Sequence, residues 1–378
     1  MTSQCSFEDF ELKISLLKSI YSYGFEYASK IQAKAIGPMI EGKELIAQSH
    51  SGTGKTGAFT IGALQIIDDS ISDCQAIILT PTHELANQVY TVAKALSRYT
   101  NVKISLCVGK TSIPDNIKSL KGAQLIIGTP GRITDMLNRK YIDKSTIKLL
   151  ILDEADEMLS GDFKIQIETI IRTIPKTAQI CLFSATITDN TLEISKRFYD
   201  KEPIKILIDK ERLTLDEISQ FYVMVNNEKF KYNVFKEIYN LVNVGQAIVY
   251  TNTQSKAKWL YESLIEDNNT CGVIYSKMEA QQRSDVLRDF RNGKVRILIS
   301  TDLLSRGIDI QKLSVVINYD IPSDKECYIH RIGRSGRYGK RGVAINLATY
   351  NDIRYVKDLE KFYKTTIAEM PDNIDSYL

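Results

Sequence analysis

Short runs of isoleucine, valine and leucine recur along the whole chain, and segments with helical periodicity separate them. Short apolar runs between helices are typical of parallel strands that helices cover on both faces. The pattern therefore predicts an α/β fold built on mostly parallel sheets. The predicted strands are residues 44–48, 76–80, 103–108, 125–128, 149–152 and 179–183, then 221–225, 247–250, 272–275, 296–300, 315–318 and 343–347.

The strand series is interrupted once, where apolar residues become sparse through "DKERLTLDEISQ". A chain of 378 residues is also too long for one ordinary hydrophobic core, because domains usually contain about 100 to 200 residues. We therefore predict two successive α/β domains, residues 1–208 and 217–378, with residues 209–216 as the linker.

The composition excludes several classes of protein. The six cysteines are scattered without a CxxC pair or a histidine at ligand spacing, so neither a zinc site nor a disulfide framework is indicated. No apolar stretch reaches the roughly 18 residues of a membrane span, and no secretion signal is apparent. A net charge of +3 does not by itself indicate a nucleic-acid partner. We expect a cytoplasmic protein with reduced thiols.

The stretch "SHSGTGKT" follows the first predicted strand and precedes a segment with helical character. In this setting Gly52 and Gly54 allow backbone amides to point at phosphate oxygens. Lys55 supplies a positive charge, and Thr56 offers a hydroxyl to Mg²⁺. Ser49 stands where the general pattern has its first glycine. A glycine-rich turn with an ordinary surface lysine is the alternative, but the flanking strand and helix favour a phosphate loop that binds a nucleotide.

Three acids follow directly after the apolar strand at residues 149–152. Ligands of open α/β sheets gather beyond the carboxyl ends of the strands, so Asp153 is well placed to hold the Mg²⁺ of a nucleotide. Glu154 is then the candidate that orients or deprotonates the attacking water. A solvated acidic helix cap is the alternative. It accounts for Asp156 and Glu157 but not for acids that begin directly at the end of a buried strand.

A second group of candidate functional residues lies late in the chain, in "YIHRIGRSGRYG". It contains His330, Arg331, Arg334 and Arg337 with two interleaved glycines. Arginines that reach a γ-phosphate stabilise the transition state of phosphoryl transfer, by about 10³ to 10⁵ in rate. The alternative is a basic surface that binds any polyanion. The stretch "STDLLSRGIDI", which lies about 20 residues upstream, disfavours this alternative.

Eight stretches occur in the order typical of one enzyme family: "GFEYASKIQ", "SGTGKT", "PTHELA", "TPGR", "DEAD", "SAT", "SRGID" and "HRIGRSGR". The chain therefore resembles the DEAD-box ATP-dependent RNA helicases over essentially its whole length. The resemblance implies two tandem RecA-like domains and an RNA-dependent ATPase that uses ATP and Mg²⁺. The compact length and "VINYDIPSDKECYIHRIGRSGR" are most similar to the family members of translation initiation, and the exon-junction helicase is a close alternative.

The resemblance implies a role for each matching position in the ATP site. Gln32 is expected to read the adenine edge, and Phe25 and Phe7 to pack against the base. Asp309 is expected to contact the ribose. The ATP-binding set is Phe7, Phe25, Gln32, Gly52, Thr53, Gly54, Lys55, Thr56 and Asp309, and the Mg²⁺ ligands are Thr56 and Asp153. The catalytic set is Lys55, Asp153, Glu154, Arg334 and Arg337, of which the last two are the γ-phosphate arginines.

Two further sets follow from the same resemblance. The residues expected to couple ATP to strand separation are Asp156, Ser184, Thr186, His330 and Arg331, where the last two link the γ-phosphate arginines to the acids of the first domain. The residues expected to contact RNA are Thr82, Gly109, Thr129, Arg132, Arg283 and Thr301. These residues are expected to contact phosphates and sugars, so RNA binding should be independent of the RNA sequence and sensitive to salt.

The predicted function is an ATP-dependent RNA helicase in which closure of two domains clamps RNA and destabilises short duplexes. The resemblance further implies a helical-repeat scaffold protein of translation initiation as a partner. We expect no membrane partner, and a monomer is the default expectation. The alternative function is an RNA clamp, or a protein that sequesters initiation partners, with a weak or uncoupled ATPase. A helicase that acts on DNA fits the resemblance less well.

Several positions depart from the family pattern. His83 replaces an arginine, Lys110 replaces a glycine, Tyr275-Ser276-Lys277 replaces His-Gly-Asp, and Ala280 and Ala28 replace a glutamine and a proline. Most of these positions belong to the RNA side. We therefore hypothesise that ATP turnover is retained while RNA affinity or its coupling to hydrolysis is altered, against the alternative of drift at tolerant positions.

The departures give a first prediction. Lysines replace fixed backbone contacts, so RNA affinity should fall more steeply with salt than in a typical family member. Titration of a single-stranded RNA at several salt concentrations measures this slope. A slope equal to that of a typical member would contradict the hypothesis.

Overall fold

The computed structural model describes residues 5–49, 52–109, 111–161, 163–199, 201–207, 218–242, 245–302, 313–335 and 342–377. The polypeptide divides into two units, residues 1–208 and 209–378. Each unit contains one seven-stranded sheet. The linker predicted at residues 209–216 lies outside the described residues.

The first unit is built on seven strands, and every pair that the structure describes is parallel. The strands are β1 Leu45–Gln48, β2 Ala76–Leu79, β3 Ile104–Cys107, β4 Leu125–Gly128, β5 Leu149–Asp153, β6 Gln179–Ser184 and β7 Ile204–Ile206. Their order across the sheet is β3-β4-β2-β5-β6-β1-β7. Crossover helices therefore connect strands that are not always neighbours.

Helices of the first unit cover both faces of this sheet. They are α1 Ile14–Tyr23, α2 Lys30–Ile40, α3 Lys55–Ile66, α4 His83–Leu96, α5 Ile113–Leu120, α6 Pro130–Asn138, α7 Ala155–Met158, α8 Phe163–Thr173 and α9 Asp189–Ser195. Alternate strand residues enter two separate cores, as Ile78 and Ile77 of β2 do. Because both faces are buried, the strands read as continuous apolar runs in the sequence.

The second unit repeats this architecture. Its strands are β8 Ile218–Met224, β9 Ala247–Tyr250, β10 Cys271–Ile274, β11 Ile297–Ser300, β12 Val315–Asn318, β13 Gly342–Ala348 and β14 Ile367–Glu369, in the parallel order β10-β11-β9-β12-β13-β8-β14. The helices are α10 Lys231–Leu241, α11 Gln254–Glu266, α12 Ala280–Arg291, α13 Lys325–Ile332 and α14 Ile353–Tyr363. Across the described parts of both units, no helix is long and apolar enough to span a membrane.

The structure confirms the predicted α/β fold class and contains a strand at each predicted position, with small shifts at the ends. Two strands, β7 and β14, are not predicted by the sequence. Each has three residues, lies at the edge of the sheet and, within the described part of the chain, pairs with a single neighbour. Most of their residues are partly or fully exposed, so neither strand produces an apolar run.

Gly128 ends β4 at a close approach to the neighbouring strand. A Cβ at this position would lie 2.1 Å from the carbonyl oxygen of Cys107. We therefore predict that Gly128→Ala destabilises the protein by about 3 kcal/mol, because two backbones must separate to admit the methyl group. Urea unfolding followed by circular dichroism measures the loss.

Gly131→Ala is the matched control for this prediction. Its Cβ would meet Gln166 Oε1 at 3.4 Å, which is ordinary contact, and it lies in the first turn of α6. Alanine is favoured over glycine in a helix, so this variant should be as stable as the wild type or more so. Equal stability of both variants would contradict the proposed backbone contact.

Candidate functional site

The predicted site residues of the first unit lie at the carboxyl ends of the strands, where ligands of open α/β sheets bind. The phosphate loop follows β1, Asp153 ends β5 and Ser184 ends β6, and these three strands are neighbours. Thr82, Gly109 and Thr129 follow β2, β3 and β4, which are neighbours in the other half of the sheet. The carboxyl ends of the strands therefore carry the residues predicted to bind nucleotide on one half of the sheet and those predicted to bind RNA on the other.

The phosphate loop is closed by its own side chains. Gly52 and Gly54 have φ angles of 81° and 106°, which glycine adopts without the strain of a Cβ atom. Lys55 Nζ donates to the backbone oxygen of Ser49 at 2.7 Å. The hydroxyls of Ser49 and Thr53 form a hydrogen bond of 2.6 Å. Ser49, in the place of the usual first glycine, is thus accommodated as a residue that closes the loop.

Gln32 connects the predicted adenine-reading segment to the phosphate loop. Its Oε1 accepts from the backbone N–H of Ser29 at 2.8 Å, and its Nε2 donates to the backbone oxygen of Gly54 at 3.3 Å. Phe25 stacks on the buried Phe7 with ring centroids 6.1 Å apart. These residues are brought together beside α3, as the prediction of an adenine site requires.

The acids at the end of β5 are held in a buried and strained arrangement. Glu154 has a φ of 54°, in the left-handed region that costs a non-glycine residue of order 1 to 3 kcal/mol and that clusters at active sites. Asp153 Oδ1 accepts from the backbone N–H of Glu154 at 3.1 Å. Burial raises the pKa of Asp153 to about 7, the Glu154 carboxylate adds to this, and Lys55 opposes it.

This arrangement fits Mg²⁺. Two buried carboxylates in adjacent positions repel one another unless a cation is present. Glu154 Oε2 is buried, and the described part of the chain offers it no hydrogen-bond partner. Oxygen ligands of this kind, together with waters and nucleotide phosphates, are those that Mg²⁺ takes. Asp153 as a metal ligand and Glu154 as the group that binds the attacking water are therefore compatible with the structure.

Asp156 connects α7 to the end of β6. Its Oδ1 accepts from the Ser184 hydroxyl at 2.6 Å, and its Oδ2 accepts from the Thr186 hydroxyl at 2.5 Å. All three side chains are buried. The structure thus brings together three of the predicted coupling residues, and a movement of the acids after β5 would be transmitted directly to the segment after β6.

Arg331 is buried inside the second unit, where it joins the ends of three neighbouring strands. Its Nε donates to Asp302 Oδ1, after β11, at 2.6 Å, and its Nη2 donates to Asn252 Oδ1, after β9, at 2.8 Å. Its Nη1 donates to the backbone oxygen of Asp320, after β12, at 2.7 Å. Burial acts to lower the pKa of the guanidinium, but the hydrogen bond to Asp302 and the charges of Cys327, Asp302 and Tyr250 together outweigh it, so the pKa is raised.

The predicted coupling residue His330 and the predicted γ-phosphate arginine Arg334 lie on and just after α13. His330 is buried in the last turn of that helix. Arg334 is buried, and its Nε donates to the backbone oxygen of His330 at 3.3 Å. Arg337 and Asp309 lie outside the described residues, so their roles stay predictions.

In the first unit, Arg132 joins the RNA candidates that follow β2, β3 and β4. It lies in the first turn of α6, which begins directly after Thr129. Its Nη1 donates to Asn116 Oδ1 at 2.5 Å, and its Nη2 donates to the backbone oxygen of Thr111 at 3.0 Å. The guanidinium is therefore held over the segment that follows β3.

The two RNA candidates of the second unit follow adjacent strands. Thr301 comes directly after β11, and its backbone oxygen accepts from the Ser300 hydroxyl at 2.7 Å. Arg283 lies in the first turn of α12, which follows β10, and is buried. Strands β10 and β11 form one margin of the sheet, as β3 and β4 do in the first unit.

Of the positions that depart from the family pattern, His83 lies beside the RNA candidate Gly109. His83 begins α4, and a Cβ built on Gly109 would lie 3.3 Å from its Nε2. Lys258 Nζ lies 4.9 Å from the ring centroid of Tyr275, and Ser276 Oγ is 2.6 Å from Gln254 Nε2. Lys110 and the side chain of Ala280 lie outside the described part of the structure.

Sequence reasoning misses the residues that support the predicted ones. Asn116 holds Arg132, while Asn252 and Asp320 hold Arg331. Asp302 could have been suspected, because it is a charged residue directly after the predicted contact Thr301 at a strand end. Asn116 gives no such signal, because it lies within an ordinary helix and meets its partner only in the folded unit.

Comparisons with known proteins agree with this geometry. Residues 29–194 match the family model described as DEAD/DEAH box helicase, and residues 230–339 match the helicase conserved C-terminal domain. The ATP-dependent RNA helicase eIF4A of Kluyveromyces lactis is 50% identical over 98% of this chain and 93% of its own length. Eukaryotic initiation factor 4A of Caenorhabditis elegans is 48% identical over 98% of this chain and 92% of its own length.

Solved structures give the same result for the fold. Saccharomyces cerevisiae Dbp5 bound to RNA and ADP BeF3 has a TM-score of 0.91 and 34% identity, with 97% of this chain and 96% of that chain covered. Mss116p bound to single-stranded RNA and AMP-PNP has a TM-score of 0.87 at 23% identity, with 98% of this chain and 80% of that chain covered, and shows the fold alone. Both units of the chain thus have the tandem RecA-like architecture.

Proposed function

This chain belongs to the DEAD/DEAH box helicase family, and we propose that it acts in translation initiation, where closure of its two units clamps RNA and unwinds short duplexes. It is an ATP-dependent RNA helicase and hence an ATP-hydrolysing enzyme. Relatives that are named initiation factor 4A support initiation as its setting. We further propose that it acts in the cytoplasm as a monomer, with a helical-repeat scaffold protein as its partner.

One observation carries the proposal: the residues proposed to bind nucleotide and those proposed to bind RNA lie side by side at the carboxyl ends of the strands of the first sheet. Lys55, Asp153 and Glu154 lie at the ends of β1 and β5, while Thr82 and Thr129 follow β2 and β4. Strand β2 lies directly beside β5. A change in the acids on ATP binding is thus one strand away from the candidate RNA contacts.

In the ATP site, each group acts on a different part of the nucleotide. Lys55 binds the phosphates, and Thr56 and Asp153 would hold a Mg²⁺ ion, which would neutralise phosphate charge. Glu154 orients the attacking water and accepts its proton. The arginines of the second unit, Arg334 and Arg337, stabilise the transition state at the γ-phosphate. Phe25 and Gln32 select the base.

On the RNA side, the contacts address the backbone. Arg132 and Arg283 bind phosphates, and the segments at Thr82, Gly109, Thr129 and Thr301 approach the strand through backbone groups and hydroxyls. Domain closure tied to ATP then bends the bound strand, and a short duplex loses base pairs. Ser184 and Thr186 transmit the state of the acids through Asp156.

Steady-state ATP hydrolysis with and without RNA tests this function. We expect single-stranded RNA to stimulate hydrolysis and DNA of the same sequence to stimulate it far less, because 2′-hydroxyl groups distinguish the two strands. Hydrolysis that ignores RNA would favour the alternative of an RNA clamp or a partner-sequestering protein. Equal stimulation by DNA would favour a helicase without preference for RNA.

A further inference from the structure

The guanidinium of Arg132 is held by neutral groups. Asn116 Oδ1 accepts from its Nη1, and the backbone oxygen of Thr111 accepts from its Nη2. Asp135, three residues along α6, forms an ion pair of 2.6 Å with Arg139. Among the residues that the structure describes, no carboxylate lies within ion-pair distance of Arg132. Its positive charge is therefore fixed in place without being neutralised.

Asn116 is itself fixed. It is buried, with 6% of its surface exposed, although it is a polar residue on a short surface helix. The hydroxyl of Thr111 donates to the backbone oxygen of Val108 at 2.7 Å and lies 3.3 Å from Asn116 Oδ1. Thr111 thus ties Asn116 to the end of β3, the strand that precedes the RNA candidate Gly109. A rigid acceptor of this kind determines where the guanidinium points.

We propose that Asn116 is a positioning residue for RNA binding, which orients Arg132 toward an RNA phosphate while leaving its full charge available to that phosphate. The inference rests on the proposed RNA role of Arg132. An aspartate at position 116 would be equally short and able to accept the same hydrogen bond. It would, however, pair with the guanidinium and compete with the phosphate for it.

The chemistry of the acceptor therefore predicts a specific signature. Each phosphate contact through a cation releases counterions, and for single strands the logarithm of affinity falls by about 0.7 per contact for each logarithm of salt. Asn116→Asp should weaken RNA binding about tenfold at low salt and reduce the salt slope by about 0.7. Asn116→Ala keeps the charge but loses its orientation, so affinity should fall while the slope stays at the wild-type value.

The experiment titrates a short fluorescein-labelled single-stranded RNA with the full chain and a non-hydrolysable ATP analogue, at several salt concentrations. Asn101→Asp is the matched control, because it is the same substitution at an exposed position before β3, at the opposite end of that strand from Gly109. It should retain the wild-type slope. Circular dichroism confirms that each variant is folded before titration.

Arg132→Ala separates the inference from the function on which it rests. If this variant keeps the wild-type slope, Arg132 does not bind phosphate, and both its proposed RNA role and the inference are overturned. If Arg132→Ala reduces the slope and Asn116→Asp does not, only the inference is overturned. A purely structural Asn116 would lower stability in both of its variants and leave the salt slope of the folded protein unchanged, which also contradicts the inference.

Discussion

Glu154→Gln is expected to abolish most ATP hydrolysis while leaving ATP binding nearly intact. The change keeps the size and shape of the side chain but replaces the carboxylate, which can accept a proton, by an amide, which cannot. General-base catalysis contributes about 10² to 10⁴ in rate, so turnover should fall by that factor. ATP affinity depends on the phosphate loop, where Lys55 and its neighbours are unchanged.

The structure explains why Glu154 is expected to have this role instead of the adjacent acids. Asp156 accepts hydrogen bonds from the hydroxyls of Ser184 and Thr186, and Asp153 interacts with the charge of Lys55, the lysine proposed to bind phosphate. Glu154 alone of the three has a buried carboxylate oxygen that, within the described residues, has no hydrogen-bond partner. Its left-handed backbone also positions it at a sharp turn between β5 and α7.

Two measurements check this prediction. Steady-state ATP hydrolysis in the presence of RNA gives the loss of turnover, and titration with a fluorescent ATP analogue gives the affinity. Glu168→Gln is the matched control, since Glu168 lies on α8 and, among the described residues, forms an ion pair only with the exposed Arg172, at 3.9 Å. A Glu154→Gln variant with wild-type turnover would show that a different group activates the water.

The fold could be predicted from the sequence wherever a segment is buried on both faces. Strand β5 reads as Leu-Leu-Ile-Leu because helices cover both of its sides. Strand β7 has the sequence Ile-Lys-Ile and is largely exposed at the sheet edge, so its pairing with β1 is decided by tertiary contact. Short apolar runs therefore predict the interior strands. The edge strands form where a neighbouring strand offers free backbone groups, which the sequence does not indicate.

The candidate site likewise contains residues that the sequence predicts and residues that it does not. Lys55 and Asp153 could be predicted because the chemistry of phosphate and Mg²⁺ demands those residue types at the ends of strands. Asn116 and Asn252 could not, because an asparagine in a helix or after a strand has many possible partners and the sequence does not indicate which one it meets. Supporting residues become visible only when the distant segments are folded together.

Arg331 is the position where the structure adds most to the interpretation of the sequence. The resemblance predicts a coupling residue, and that role stays a prediction. In the structure the side chain is fully buried and its donors bind groups that follow β9, β11 and β12. Its guanidinium also lies 5.2 Å from the ring centroid of Tyr250. We infer that it stabilises the second unit whether or not it also responds to ATP.

Arg331→Met is therefore expected to destabilise the second unit by about 3 kcal/mol, because it removes the donor to the buried oxygens of Asn318 and Asp320, whereas the half-exposed Asp302 carboxylate is open to water. Total stabilities of domains are about 5 to 15 kcal/mol, so the effect is a large fraction of the whole. The stability of Arg331→Lys should lie between those of the wild type and Arg331→Met. A lysine keeps the positive charge but cannot reproduce the planar, multidentate geometry of the guanidinium.

The fluorescence of Trp259, the one tryptophan of the chain, measures this loss selectively, because the residue lies on α11 of the second unit. Urea unfolding of the wild type and the variants gives the change in midpoint. Arg288→Met is the matched control: Arg288 is exposed on α12 and forms a surface ion pair with Asp285, so its loss should cost less than about 1 kcal/mol.

An Arg331→Met variant that unfolds like the wild type but loses RNA-stimulated hydrolysis would restrict Arg331 to coupling and contradict its structural role. A loss of stability without nucleotide present would instead establish that the strand ends of the second unit depend on this arginine before any ATP binds.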